Sequence, residues 1–231
     1  MPYDTDIFDT LRYRLMTNGF DHGQKVRAEH LRQEFGCSAS TIREVLFRLS
    51  TLGLVEFQEQ RGFRVPERSR EVIHELTHLR VLLEAEGTAM SIRRGGVAWE
   101  ARLTAAHHQL SHLEMRLNTA ADRSPFVDLW FGAEAQFHET LISACGSQTL
   151  IDAHFQVYCR FRQQLMVEDR NFDFISNNIK HHQQILDAAM AGDEALTRKK
   201  IHDHLARHLL SEAVEEAYPS GSTALTRQEV C

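Results

Sequence analysis

The sequence predicts a mainly α protein: an N-terminal winged helix-turn-helix followed by an all-α antiparallel helical bundle. Three observations carry this. The first 68 residues fit three short helices and one hairpin, with strand-type alternation confined to LVEF and FRV around residues 54–65. From Arg70 onward only long amphipathic stretches occur. Those stretches are separated by short breaks such as Gly95-Gly96, Ser124-Pro125, Gly146-Ser147 and Gly192-Asp193, and short links between long helices imply antiparallel neighbours.

Ile7, Phe8, Leu11 and Leu15 recur at helical spacing, predicting a helix over 5–18. A second helix over 27–35 carries Ala28, Leu31 and Phe35 and ends at Gly36. Ser38 is placed to cap a third, over 39–52, whose apolar face is Ile42, Val45, Leu46 and Leu49. Gly53 ends it, and the polar turn Gln58–Gly62 joins the two strands of the wing. Six further helices are expected over 69–94, 97–119, 125–144, 147–168, 173–191 and 194–217. The domains are therefore 1–68 and 69–218, with a disordered polar tail over 219–231.

Composition narrows the function classes. The 231 residues and 42% hydrophobic content suffice for two cores. The four cysteines form no C-x-x-C pair, so neither a zinc ribbon nor a disulfide framework is indicated, and a reduced, cytoplasmic setting is expected. No signal peptide and no apolar run of membrane-spanning length is present, so no membrane partner is expected. The net charge of -6 is unevenly spread, because residues 1–68 hold ten basic and ten acidic side chains. A neutral module binds nucleic acid only if its arginines share one face, which predicts focal contacts.

The run LRQEFGCSASTIREVLFRLSTLGLVEFQEQRGFRV resembles the N-terminal domain of GntR-family regulators, through Gly36, Ser38, Ile42, Arg43, Glu44, Leu46, Arg48, Leu49, Gly53, Leu54, Val55, Arg61, Gly62 and Val65. The resemblance implies double-stranded operator DNA as the partner. In a major groove the N-terminal turn of the reading helix meets the bases first. Ser38, Ser40, Thr41 and Arg43 lie there, with Arg48 further along. Arg43 suits a bidentate guanine or phosphate contact, Ser40 and Thr41 phosphate contacts, and Arg61 beside Gly62 the minor groove. Ala39 stands where the family usually has arginine, which removes one expected contact. Helix-turn-helix readers pair to span two half-sites, so a homodimer is expected.

Residues 70–215 resemble the helical ligand-binding domain of the FadR subfamily, known as FCD. The signatures are Arg80-x-x-x-Glu84, Glu134-Ala-Gln-Phe-His138, and His182-Gln-Gln-Ile-Leu followed by Gly192-Asp193 and His204-Leu205. The resemblance implies a divalent transition metal, Zn or Ni foremost, on Glu134, His138, His182 and His204, and a small carboxylate effector. Glu134 replaces the family's aspartate. The residues alone agree in part: Glu134 and His138 share a helix face, and His182 and His204 fall among apolar neighbours. Inward histidines at helical spacing are also ordinary core residues, and His74/His78 and His108/His112 show the same spacing. Arg80, Arg160 and Arg162 are candidate cations for a carboxylate, and Asn178 a candidate donor. The competing reading is a metal-dependent hydrolase of helical-bundle type, for which His202-Asp203 supplies the dipeptide but no acid/base pair is evident.

Overall fold

The computed structural model describes residues 2–17, 19–165 and 172–210. Among these, three helices and a small sheet come first: α1 (Pro2–Met16), β1 (Lys25–Val26), α2 (Ala28–Phe35), α3 (Ala39–Thr51), β2 (Glu56–Gln58) and β3 (Gly62–Arg64). Six helices follow: α4 (Arg70–Arg94), α5 (Gly96–Thr119), α6 (Ser124–Ile142), α7 (Gln148–Leu165), α8 (Ile175–Met190) and α9 (Glu194–Leu205). The mainly α class with a winged head is as the sequence predicts.

The head closes on its own core. Leu11, Leu15, Ile42, Val45, Leu46, Leu49 and Leu54 are fully buried in one cluster. The Ser38 side chain accepts a hydrogen bond from the Thr41 amide, satisfying an orphan donor of the first turn of α3. The sheet has the order β1-β3-β2, all antiparallel. The sequence reading missed β1, which is two residues long and has no alternation to detect.

The bundle is organised around α4, which packs against α6, α7 and α9, while α5 packs against α6 and α8. Ser69 caps α4 and Asp193 caps α9 through their side chains. Trp99, Leu103, Leu110, Phe137, Leu141, Ile185 and Ile201 form the dry centre. The last helix is shorter than expected. It ends at Leu205 and tightens into a 3-10 turn over Ala206–His208, a common way to satisfy terminal carbonyls. The expected continuation over 211–217, the tail over 219–231 and the end of the helix over 166–168 lie outside the described residues.

Head and bundle are not beads on a string. Cys159 of α7 is buried within the head's cluster, with Phe155 packed beside it. Arg12 of α1 lies over the Phe155 ring at 4.9 Å.

Candidate metal centre and nucleic-acid interface

Inside the bundle, His138 of α6, His182 of α8 and His204 of α9 converge. All three are buried, and one ring nitrogen from each lies within 4.8 Å of the others. The His138 and His204 rings stack at 5.3 Å, and those of His182 and His204 lie 4.5 Å apart.

The outer nitrogens explain how the rings are held. His138 Nδ1 lies 2.9 Å from Glu84 Oε2, and His182 Nδ1 lies 2.9 Å from Glu114 Oε1. A carboxylate oxygen accepts, so each imidazole donates its Nδ1–H and turns its Nε2 away from the carboxylate. The two Nε2 atoms and His204 Nδ1 are buried and make no hydrogen bond within the protein. Such atoms are costly unless something pairs with them. Burial, reinforced by His182 and His138, pushes His204 well below the ordinary histidine range, so its ring is neutral. Burial likewise lowers His138, against the opposing pull of Glu84. Three buried imidazoles, two of them oriented by carboxylates, fit a divalent transition metal.

The fourth expected ligand sits at the edge of this triangle. Glu134 Oε1 is 3.5 Å from His138 Nε2 and 3.6 Å from Arg80 Nη2, while its other oxygen accepts from the Tyr158 hydroxyl. Burial pushes the Glu134 carboxyl up, but Arg162, His138 and Arg80 more than offset it and hold it at about 2. The three-histidine cluster thus forms without Glu134, whose oxygens are already engaged.

The effector candidates divide. Arg80 is buried, with Nε donating to Glu84 Oε1 at 2.5 Å. Arg80, Arg162 and Asn178 line a cavity of about 10 Å³ beside Glu134 and His204, room for about one water. Arg160, the other candidate, lies apart from this cavity: it is exposed on the opposite side of α7, with its side chain against Gly53 of the head. The cause is helical geometry, since two positions along α7 turn a side chain through about 200°. His202 is exposed and Asp203 pairs with Lys199, so the His-Asp dipeptide points away from the cluster.

Sequence reasoning did not find the orienting residues Glu114, His154 and Tyr158, and used Glu84 only as a signature. His154 Nε2 bonds Glu84 Oε1 at 2.9 Å. A Glu at 114 and a His at 154 carry no spacing signal, because their partners are far away in the chain.

In the head, Ser38, Ser40, Arg43 and Arg61 are exposed and Thr41 half-buried. Ser38 Oγ lies 2.8 Å from both Ser40 Oγ and Thr41 Oγ1. Arg43 and Arg61 line one groove of about 570 Å³ between α3 and the wing, together with Gly62, Lys25 and Arg27. β1 pairing with β3 brings Lys25 and Arg27 there, a contribution the sequence did not disclose. Gly62 has φ +80°, so the wing turn suits glycine. Arg48 is placed differently from expectation. Its guanidinium lies 4.3 Å over the Phe8 ring, on the side of α3 that faces α1, because it is five residues past Arg43.

Fold and site together define a DNA-binding transcription regulator whose head is joined to a ligand-binding helical bundle. Residues 4–65 match the family model of bacterial regulatory proteins, gntR family, and residues 75–207 match the FCD domain. The chain belongs to the GntR family, in its FCD-bearing branch. It is 30% identical to the HTH-type transcriptional regulator BphR of Paraburkholderia xenovorans, over 86% of this chain and 80% of BphR. It is 27% identical to the HTH-type transcriptional repressor GlaR of Escherichia coli, over 87% and 91%. Among solved structures, E. coli McbR/YncC superposes with a TM-score of 0.75 at 17% identity, covering 89% of this chain and 94% of that one. A GntR regulator from Rhodococcus sp. RHA1 gives 0.71 at 20%, covering 90% and 98%. The family is one of regulators, so the hydrolase alternative falls. No helix among the described residues is long and apolar enough to cross a membrane.

Proposed function

We propose that this regulator acts in the cytoplasm as a homodimer and that a metal-assisted small carboxylate controls its grip on operator DNA. Ser38, Ser40, Thr41 and Arg43 present the front of α3 to the major groove, and Arg61-Gly62 bring the wing to the adjacent minor groove. His138, His182 and His204 hold a divalent transition metal, Zn or Ni first, with Glu134 alongside. Arg80, Arg162 and Asn178 receive the carboxylate. The metal, when bound, supplies a Lewis-acidic point for an anionic effector. The sign of regulation is repression, carried over from GlaR, which is a repressor.

One observation carries this reading: three buried imidazoles bring one nitrogen each within 4.8 Å of the others, and each ring has a buried nitrogen that makes no hydrogen bond. The experiment is metal analysis of purified protein, with titration against a chromophoric chelator. One metal ion per chain is expected, and none after His182→Ala. Glu114→Gln should weaken uptake by roughly 10–100-fold, because it loosens the orientation of His182. A protein that takes up no transition metal at micromolar concentrations would remove the metal from the scheme.

A further inference from the structure

The helix α7 has two working faces. His154, Tyr158 and Arg162 are four residues apart and buried toward the bundle interior. His154 holds Glu84, which holds His138, and Tyr158 holds Glu134. The other face grips the reading head through backbone carbonyls. Gln156 Nε2 donates to Thr51 O at 2.7 Å, Gln163 Nε2 to Leu54 O at 2.9 Å, and Gln164 Nε2 to Glu67 O at 3.0 Å.

These carbonyls are not arbitrary. Thr51 is the last residue of α3, so its carbonyl has no partner inside the helix. Gln156 therefore caps the reading helix from outside the head. Gly53, at φ +73°, turns the chain sharply there, and a Cβ on it would meet the Arg160 side chain at 3.0 Å. The head and α7 are fitted closely at the base of the reading helix. Gln163 is buried, so its amide has no water to replace the Leu54 carbonyl.

We propose that α7 couples the histidine site to the head, and that Gln156 and Gln163 are positioning residues for α3. This rests on reading the histidine cluster as the regulatory site. A change that moves Glu134 or Glu84 acts on Tyr158 and His154, and so on the rotation or register of α7. Its outward amides transmit that change to the end of α3. The two arrangements then differ in DNA affinity, as population shift requires.

The test uses the full chain and a duplex selected from a randomised library. Duplex affinity is measured by fluorescence anisotropy, without added metal, for wild type, Tyr158→Phe, Gln163→Leu and the double variant. Circular dichroism melting confirms that each is folded. Each single variant should shift affinity by about fivefold or more, and the double variant should depart from additivity by a comparable factor. Strict additivity overturns the proposal. The exposed Gln156→Glu replaces the donor with an acceptor; it should shift affinity similarly, and takes the place of Gln163→Leu in the cycle if that variant does not fold.

Zn(II) alone supplies the second readout. In wild type, Zn(II) and duplex should alter each other's affinity by the same factor. Gln156→Glu should bring that factor toward one while leaving Zn(II) affinity in the DNA-free protein unchanged. A full factor in Gln156→Glu counts against α7. A wild type that binds no Zn(II) sinks the site reading, whereas the mutant cycle still decides the role of α7.

Discussion

The head and the bundle solve the problem of holding a ligand in opposite ways. In the head, the groups proposed to meet DNA lie at the surface, and Arg43 and Arg61 line one groove. In the bundle, the groups proposed to hold a metal are buried, and carboxylates bond His138 and His182. The difference fits the two ligands proposed. Phosphate contacts gain from long, solvated cations and are screened by salt. A metal needs neutral, pre-aimed nitrogens in a dry setting. The head should therefore answer to ionic strength with little cost in stability, and the bundle to pH and to the loss of single carboxylates with a large cost.

The largest effect should come from Glu84. Its two oxygens bind Arg80, His138 and His154 at once, all buried. Burial opposes its charge, but Arg80 and His138 hold its carboxyl well below the usual range. Glu84→Ala leaves Glu134, at 3.6 Å, as the carboxylate beside the buried Arg80 charge. Breaking a buried pair from one side costs about 3–5 kcal/mol. Both tryptophans, Trp99 and Trp130, lie in the bundle, so their fluorescence reports on it. Urea unfolding followed this way should show a much lower midpoint for the variant. An unchanged midpoint would mean that the cluster contributes nothing to holding the bundle.

The head was legible in the sequence almost residue by residue because its signals are local. A cap, an apolar face and a turn glycine each sit within a few positions of the element they define, as at Ser38, Ile42 and Gly53. The three clustered histidines were legible as a candidate metal site only through resemblance, since inward histidines at helical spacing are ordinary core residues. What fixes them, Glu114 beneath His182 and Glu84 beneath His138, lies 68 and 54 residues away. No periodicity encodes such a pairing. Arg160 and Arg162 show the same limit: both are near the site in sequence, and the turn of α7 sends only Arg162 inward.

Next in size is acid sensitivity. Burial holds His138, His204 and His208 below the ordinary histidine range, His208 down to about 2 with help from Arg207 and Arg80. The unfolded chain protonates each near 6.5. Below that pH the unfolded state takes up protons that the folded state refuses, so stability falls on acidification. The limiting slope is about 1.4 kcal/mol per pH unit for each group. Glu84 and Glu134, whose carboxyls are depressed, add their own loss only below 4.5, whereas Glu139, whose carboxyl burial raises, binds its proton in the folded state first and so opposes the fall just above 4.5. Metal-free protein should therefore unfold at clearly lower urea at pH 5.5 than at 7.5. A flat profile across that interval would show that these imidazoles are not kept neutral by folding.

The smallest effect separates two arginines of one helix. Arg43 is exposed in the groove, whereas Arg48 lies over Phe8 of α1. Arg43→Ala should leave stability within about 0.5 kcal/mol, lower duplex affinity and reduce the slope of log affinity against log salt by about one. Arg48→Ala should do the reverse. It removes a guanidinium–ring contact worth about 0.5–1 kcal/mol at an exposed site and leaves the salt slope where it was. The stack ties the back of the reading helix to α1, so its loss should appear as a small drop in the head's thermal stability. A salt slope lowered equally by both variants would return Arg48 to the DNA-facing set and place the interface on a broader arc of α3 than its present packing suggests.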